Sequence, residues 1–148
     1  MPKFPERLLL VDDEKDFVDL LALKLKEVGK EVQVAYDGRE CLAALEQDNT
    51  DVVILDIKMP GMDGIDVLKE IKRRFPIVEV IMLTGHGTIQ TAVEGMKIGA
   101  FDYLLKPAVF EDLLAKVESA KRRKEEHEER IRKAEAEILL KESRRLKR

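Results

Sequence analysis

Short apolar runs recur along this chain at near-regular intervals, and each is followed by a segment whose apolar residues fall at helical spacing. The runs are "RLLLV" (7–11), "EVQVA" (31–35), "VVIL" (52–55), "VEVIMLT" (78–84) and "DYLLK" (102–106). Between them lie "KDFVDLLALKLKEVG" (15–29), "DGRECLAALEQD" (37–48), "GIDVLKEIKRRF" (64–75), "TIQTAVEGMKIG" (88–99) and "VFEDLLAKVESA" (109–120). Runs of four to seven residues suit strands, and the intervening patterns suit amphipathic helices. Strict strand–helix alternation with short connections predicts a parallel sheet with helices on both faces. The uninterrupted apolarity of "VVIL" predicts a strand covered on both sides. The first helical segment offers a broad apolar face of Phe17, Leu20, Leu21, Leu23, Leu25 and Val28.

With 148 residues, 45% of them apolar, the chain has enough material for one ordinary domain and something left over. The remainder differs in charge. Residues 1–120 carry 15 basic and 23 acidic side chains, whereas residues 121–148 carry 12 basic and 7 acidic. Two pieces therefore meet near Ala120: a domain over 1–120 and a charged helical extension or linker over 121–148. Neither glycine nor proline interrupts Val109 to Arg148, so the fifth helix is expected to run on. The single cysteine, Cys41, allows no internal disulfide, and its spacing with Leu42 and Leu45 places it in the core. The first residues hold only a short apolar run, too short for a signal peptide or a membrane span, which predicts a cytoplasmic protein without membrane contact.

In a parallel α/β sheet, the loops beyond the carboxyl ends of the strands line the edge where ligands sit. Here the first strand runs into Asp12-Asp13, the third into Asp56, the fourth ends at Thr84 and the fifth at Lys106. An acid after a strand is often a helix N-cap, and Asp12 or Asp13 could cap the helix starting near Lys15. The five positions together ask for more. Two like charges 4 Å apart repel by roughly 4 kcal/mol at an effective dielectric of 20. Three carboxylates on one rim therefore need a cation beyond one lysine. Oxygen donors of this kind select a hard divalent ion, Mg2+ first and Mn2+ as a substitute. Beside a carboxylate, a hydroxyl and an ammonium, such an ion makes a phosphoryl site in which an Asp oxygen can attack phosphorus.

These residues resemble the receiver domain of two-component response regulators. The resemblance rests on Asp12-Asp13, Asp56 within "DIKMPGMDG", Thr84-Gly85 and Lys106-Pro107, and covers roughly residues 5–120. The segment "VIMLTGHGTIQTAVEGMKIGAFDYLLKP" is most similar to receivers of nitrogen-regulation-type enhancer-binding activators. The resemblance implies a flavodoxin-like (βα)5 doubly wound sheet with strand order 2-1-3-4-5, an order for which a receiver is a standard illustration. It implies Asp56 as phosphoacceptor, with Asp12, Asp13, an Asp56 oxygen and the backbone carbonyl of Lys58 as metal ligands. Thr84 and Lys106 would bind the phosphoryl group, the latter beside a cis peptide before Pro107, and Tyr103 would be the aromatic switch.

Other positions are expected to tune the site. Lys58 and His86 flank the path of an attacking water and would set the lifetime of an aspartyl phosphate, or face solvent without kinetic role. Gly85 leaves the site open to a phosphodonor, the turn at Pro60-Gly61 aims the Lys58 carbonyl, and Met59 partly covers the acid rim. Met82 is expected in the core, and His127 on a solvated face. The resemblance implies a sensor histidine kinase or phosphotransfer protein as partner, and no enzymatic activity beyond self-phosphorylation and its reversal. It implies a homodimer through the fourth helix, fifth strand and fifth helix, or through the C-terminal helix. Stepping three and four from Leu113 along that helix gives a seam that is apolar at both ends and polar at Lys124 and His127. Interleaved acids argue against nucleic-acid binding by the tail. A linker to an effector domain and a stand-alone docking helix stay open, as does a Mg-dependent aspartyl phosphatase, although that class usually needs a second Asp where Lys58 stands.

Overall fold

The alternating apolar runs become five strands, of which those at 7–11, 52–55 and 79–84 are covered on both faces. The computed structural model describes residues 6–147; residues 1–5, on which part of the reading of the N-terminal segment falls, and Arg148 lie outside that description. The order is β1 (Arg7–Val11), α1 (Lys15–Glu27), β2 (Glu31–Ala35), α2 (Gly38–Gln47), β3 (Val52–Leu55), α3 (Gly64–Arg74), β4 (Glu79–Thr84), α4 (Ile89–Ile98), β5 (Asp102–Leu105) and α5 (Phe110–Leu146). All strand pairs are parallel, in the order β2-β1-β3-β4-β5. This is the expected flavodoxin-like arrangement with a long C-terminal helix.

Successive strand residues point to opposite faces, so two cores form. Leu9, Val11, Val53, Leu55, Val80 and Met82 face Cys41 and Leu45 of α2 and Ile65, Leu68 and Ile71 of α3. Leu8, Leu10, Val52, Ile54, Ile81 and Leu83 face Val18, Leu21, Ala22 and Leu25 of α1 and Leu113, Val117 and Ala120 of α5. Each such aliphatic side chain contributes about 1.5–3 kcal/mol on full burial. Cys41 and Met82 lie in the core as expected.

The broad face read for α1 is narrower in the structure. Val18, Leu21, Ala22 and Leu25 form one stripe at helical period, while Leu20 and Leu23 are each 55% exposed and Val28 lies beyond the helix, also exposed. A helix lying on one sheet face covers a stripe only about 100° wide, and Leu20 and Leu23 fall outside it. Nor does Asp12 or Asp13 cap this helix. Glu14 is the N-cap residue without a side-chain bond, and Asp12 Oδ1 accepts from the Glu14 N–H at 2.9 Å. Asp37 and Asp63 do cap α2 and α3.

Helix α5 has 37 residues, about 55 Å at ~1.5 Å per residue. Its apolar contacts end at Ala120, yet it stays tied to the sheet beyond that point by charge. Lys124 Nζ lies 3.0 Å from Asp51 Oδ1, Arg123 pairs with Glu79, and Lys121 approaches Glu6 at 4.0 Å. Those carboxylates sit just before or at the start of β3, β4 and β1, at the end of the sheet opposite the acid rim. Glu79 is also met by Lys72 of α3 at 3.2 Å. His127 is half-buried beside these contacts rather than fully solvated, and residues 129–147 are exposed.

Glu6 is buried in this group with Lys30, Glu118 and Lys121 around it. Burial, reinforced by its bond with Glu118 and opposed by Lys30, pushes its carboxyl up to about 7. A carboxyl whose folded value is raised binds its proton more tightly in the folded state. It therefore contributes stability below its unfolded value, and that contribution is lost as pH rises through about 7. Urea denaturation at pH 4.5 to 8 is expected to show Glu6→Gln gaining on the wild type by about 1–3 kcal/mol across that window. Parallel pH profiles for the two proteins would contradict this placement of the charge.

Candidate functional site

Register builds the acid rim. Val11 pairs with Leu55, so the next residues, Asp12 and Asp56, emerge side by side from neighbouring strands. Their backbones are tied to the adjoining strands: Asp56 N–H donates to the Val11 carbonyl at 2.9 Å, and Asp12 N–H to that of Ala35 at 3.1 Å. Leu55 pairs with Met82 and Thr84 with Leu105, which brings Thr84 and Lys106 to the same edge. Lys106 N–H donates to the Thr84 carbonyl at 2.9 Å, and the Lys106–Pro107 peptide is cis, as expected.

One carboxylate oxygen from each of Asp12, Asp13 and Asp56 lies within 4.8 Å of the others. Asp12 and Asp56 are buried, whereas Asp13 is exposed. The donor set is all oxygen, as a hard divalent cation requires. Asp56 Oδ1 accepts from the Ile57 N–H at 2.8 Å. Burial first, then the neighbouring Asp12 charge, raises the Asp56 carboxyl above the usual carboxylate range, while the Thr84 hydroxyl, Lys106 and the Ile57 N–H pull the other way. Lys106 supplies the balancing charge. Its Nζ lies 2.6 Å from Asp12 Oδ2 and 3.4 Å from Glu14 Oε1. Burial alone would lower its pKa, but the bond to Asp12 and the charges of Asp12, Asp56 and Glu14 raise it instead.

The other expected positions divide. Thr84 is buried, and its Oγ1 accepts from the His86 N–H at 3.1 Å. Gly85, His86 and Lys58 are exposed next to the rim. Met59 is buried among the core residues packed with α2 and α3. Tyr103 is half-buried on β5, and its hydroxyl lies 2.8 Å from Thr91 Oγ1.

Two residues beside Lys106 escaped the sequence reading. Glu14 follows the acidic pair directly, which was a usable signal. Phe17, whose ring centroid is 4.1 Å from Lys106 Nζ, looked like one more residue of an apolar face.

Comparison with known proteins matches residues 8–118 to the response regulator receiver domain model. The chain belongs to the receiver family. An NtrX-like response regulator of Rickettsia bellii is 44% identical over 102 residues, covering 68% of this chain and 21% of that protein. The receiver thus spans about a fifth of the length of the curated relatives it matches. A CheY-like receiver domain protein of Methanospirillum hungatei superposes with a TM-score of 0.80 at 31% identity, covering 83% of this chain and 98% of its own. A response regulator of Burkholderia pseudomallei, solved with a phosphorylated aspartic acid and a calcium ion, gives a TM-score of 0.73 at 28% identity, over 83% of this chain and 72% of its own. Receivers of two-component systems are phosphorylated by histidine kinases and bind Mg2+ at an acidic pocket, and this receiver has the Asp cluster for it. Among the described residues no helix is long and apolar enough to cross a membrane.

The loop after Asp56 is held by Gly64, whose N–H donates to the Ile57 carbonyl at 2.6 Å. A Cβ at position 64 would overlap the Asp56 carbonyl oxygen and stand 2.6 Å from Ile57 Cα. Backbone cannot yield as a flexible side chain does. Gly64→Ala is expected to cost roughly 2 kcal/mol or more in urea denaturation and to weaken Mg2+ binding measured by calorimetry. Wild-type values for both would show that the loop has room to spare.

Proposed function

We propose that this receiver accepts a phosphoryl group on Asp56 and passes the change to its α4, β5 and α5 surface and to the C-terminal helix. The observation that carries the proposal is the register that sets Asp56 beside Asp12, Asp13, Thr84 and Lys106 on one edge. An Asp56 oxygen attacks the phosphorus of a phosphohistidine or small phosphodonor. The O–P bond forms, the donor's bond to phosphorus breaks, and the electron pair leaves with the donor, which takes up a proton. Asp12, Asp13, an Asp56 oxygen and the Lys58 backbone carbonyl would hold Mg2+ or Mn2+, which supplies positive charge beside the phosphoryl oxygens. Thr84 donates its hydroxyl proton to one phosphoryl oxygen, and Lys106 turns from Asp12 towards another. The phosphorylated aspartic acid and calcium ion of the Burkholderia regulator support this chemistry for the family.

Output is read from exposed apolar residues. Ile89, Val93 and Met96 line one face of α4, with Leu105 and Val109 nearby; Ile89 is 85% exposed. Farther along α5, Ile131, Ile138, Leu139 and Leu146 are also exposed. A second copy covering these stripes makes a homodimer that phosphorylation strengthens. A further reading, in which this receiver is one portion of a longer cytoplasmic activator, is favoured by the small share of the curated relatives that it spans.

Incubation with acetyl phosphate and Mg2+ is expected to add one phosphoryl mass to the wild type, stable in acid and labile in base, and none to Asp56→Asn. An equal adduct on Asp56→Asn rules out the assignment. Lys58 and His86 stand exposed beside the site, and replacing them with Asn and Ala is expected to change the dephosphorylation rate severalfold. An unchanged rate would leave both without a kinetic role. Light scattering should give a larger mass with beryllofluoride and Mg2+ than without; a monomer in both states would refute coupled dimerisation.

A further inference from the structure

The Tyr103 hydroxyl is engaged by a residue that no family motif marks. Thr91 Oγ1, 2.8 Å away, belongs to the capping box that starts α4. The same oxygen accepts from the Thr88 N–H at 3.0 Å and donates to the Thr88 carbonyl at 3.1 Å, while Thr88 Oγ1 accepts from the Thr91 N–H at 3.0 Å. A hydroxyl has one proton and two lone pairs. Thr88 Oγ1 also lies 3.0 Å from Thr91 Oγ1, so several partners share this hydroxyl and either oxygen of the Thr91–Tyr103 pair can be the donor.

Space for this contact depends on Gly87. A Cβ at position 87 would stand 2.7 Å from the Tyr103 hydroxyl and 3.2 Å from its Cε1, and would overlap Leu105. Gly87 lies between Thr88 and His86, whose N–H is bonded to Thr84 Oγ1. A short backbone segment therefore joins the phosphoryl-binding hydroxyl to the cap that holds the tyrosine.

We propose that Thr91 is a positioning residue for Tyr103: its hydroxyl latches the tyrosine in the unphosphorylated position, and capture of a phosphoryl group by Thr84 must release that latch. The inference rests on the acceptor role proposed for Asp56. When Thr84 turns to the phosphoryl oxygens, the His86 N–H loses its acceptor, the loop shifts, and the capping box moves away from β5. Removing the latch favours the phosphorylated conformation, so a phosphoryl mimic binds more tightly.

The test is a double-mutant cycle on the equilibrium affinity for beryllofluoride with Mg2+. Thr91→Val and Tyr103→Phe should each tighten binding about three- to tenfold, the span of one net hydrogen bond. The double variant should gain no more than either single one, and Thr91→Ser, which keeps the hydroxyl, should stay near wild type. Tyr103→Phe leaves the capping box intact, so a gain there cannot come from a frayed helix. Additive effects, or no gain in either single variant, overturn the proposal. A wild type that binds no beryllofluoride counts against the acceptor role of Asp56 instead. The latch is then read in mimic-free protein from the Tyr103 ring resonances, which should move in Thr91→Val and return in Thr91→Ser; unmoved resonances overturn it.

Discussion

Crowding of negative charge at the ends of β1 and β3 is the constraint around which this receiver is arranged. Parallel register makes Asp12 and Asp56 neighbours, and both are buried. Two buried like charges at this spacing are tolerable only where a positive charge is close. Lys106 meets that need from β5's end, held between Asp12, Glu14 and the ring of Phe17. Burial and the Asp12 charge still hold the Asp56 carboxyl above the usual range against the pull of that lysine, and its Oδ1 accepts from the Ile57 N–H. The Asp cluster offers the all-oxygen donor set that the Mg2+ of the family requires.

The opposite end of the sheet uses charge differently. There Glu6, Asp51 and Glu79 meet cations from α1's exit, α3 and α5, and the contacts fix where the long helix leaves the domain. The contacts of α5 with the rest of the domain therefore extend beyond its last buried apolar residue, Ala120, to Lys124.

Most of the fold was legible because its signal is periodic. Five apolar runs, five helical patterns and the acids, hydroxyl and amine immediately after the strands specify the alternation of elements and the edge on which the site forms, while the strand order came from the resemblance to receivers. What was not legible depends on which stripe of a helix meets the sheet. Leu20 and Leu23 look as apolar as Leu21 and Leu25, and only packing separates them. Thr91 reads as an ordinary helix residue until β5 is placed beside α4. Glu14 as an N-cap without a side-chain bond was hidden for a related reason: Asp12 spends its oxygens on the Glu14 N–H and Lys106.

The central claim is that phosphoryl transfer ends on one carboxylate, Asp56. Borohydride reduces an aspartyl phosphate to homoserine, so reduction after incubation with a phosphodonor and Mg2+, followed by peptide mass mapping, locates the acceptor directly. The account predicts homoserine at position 56 and none at Asp12 or Asp13. Homoserine at either of those positions, or at none after a phosphoryl adduct has formed, would contradict it.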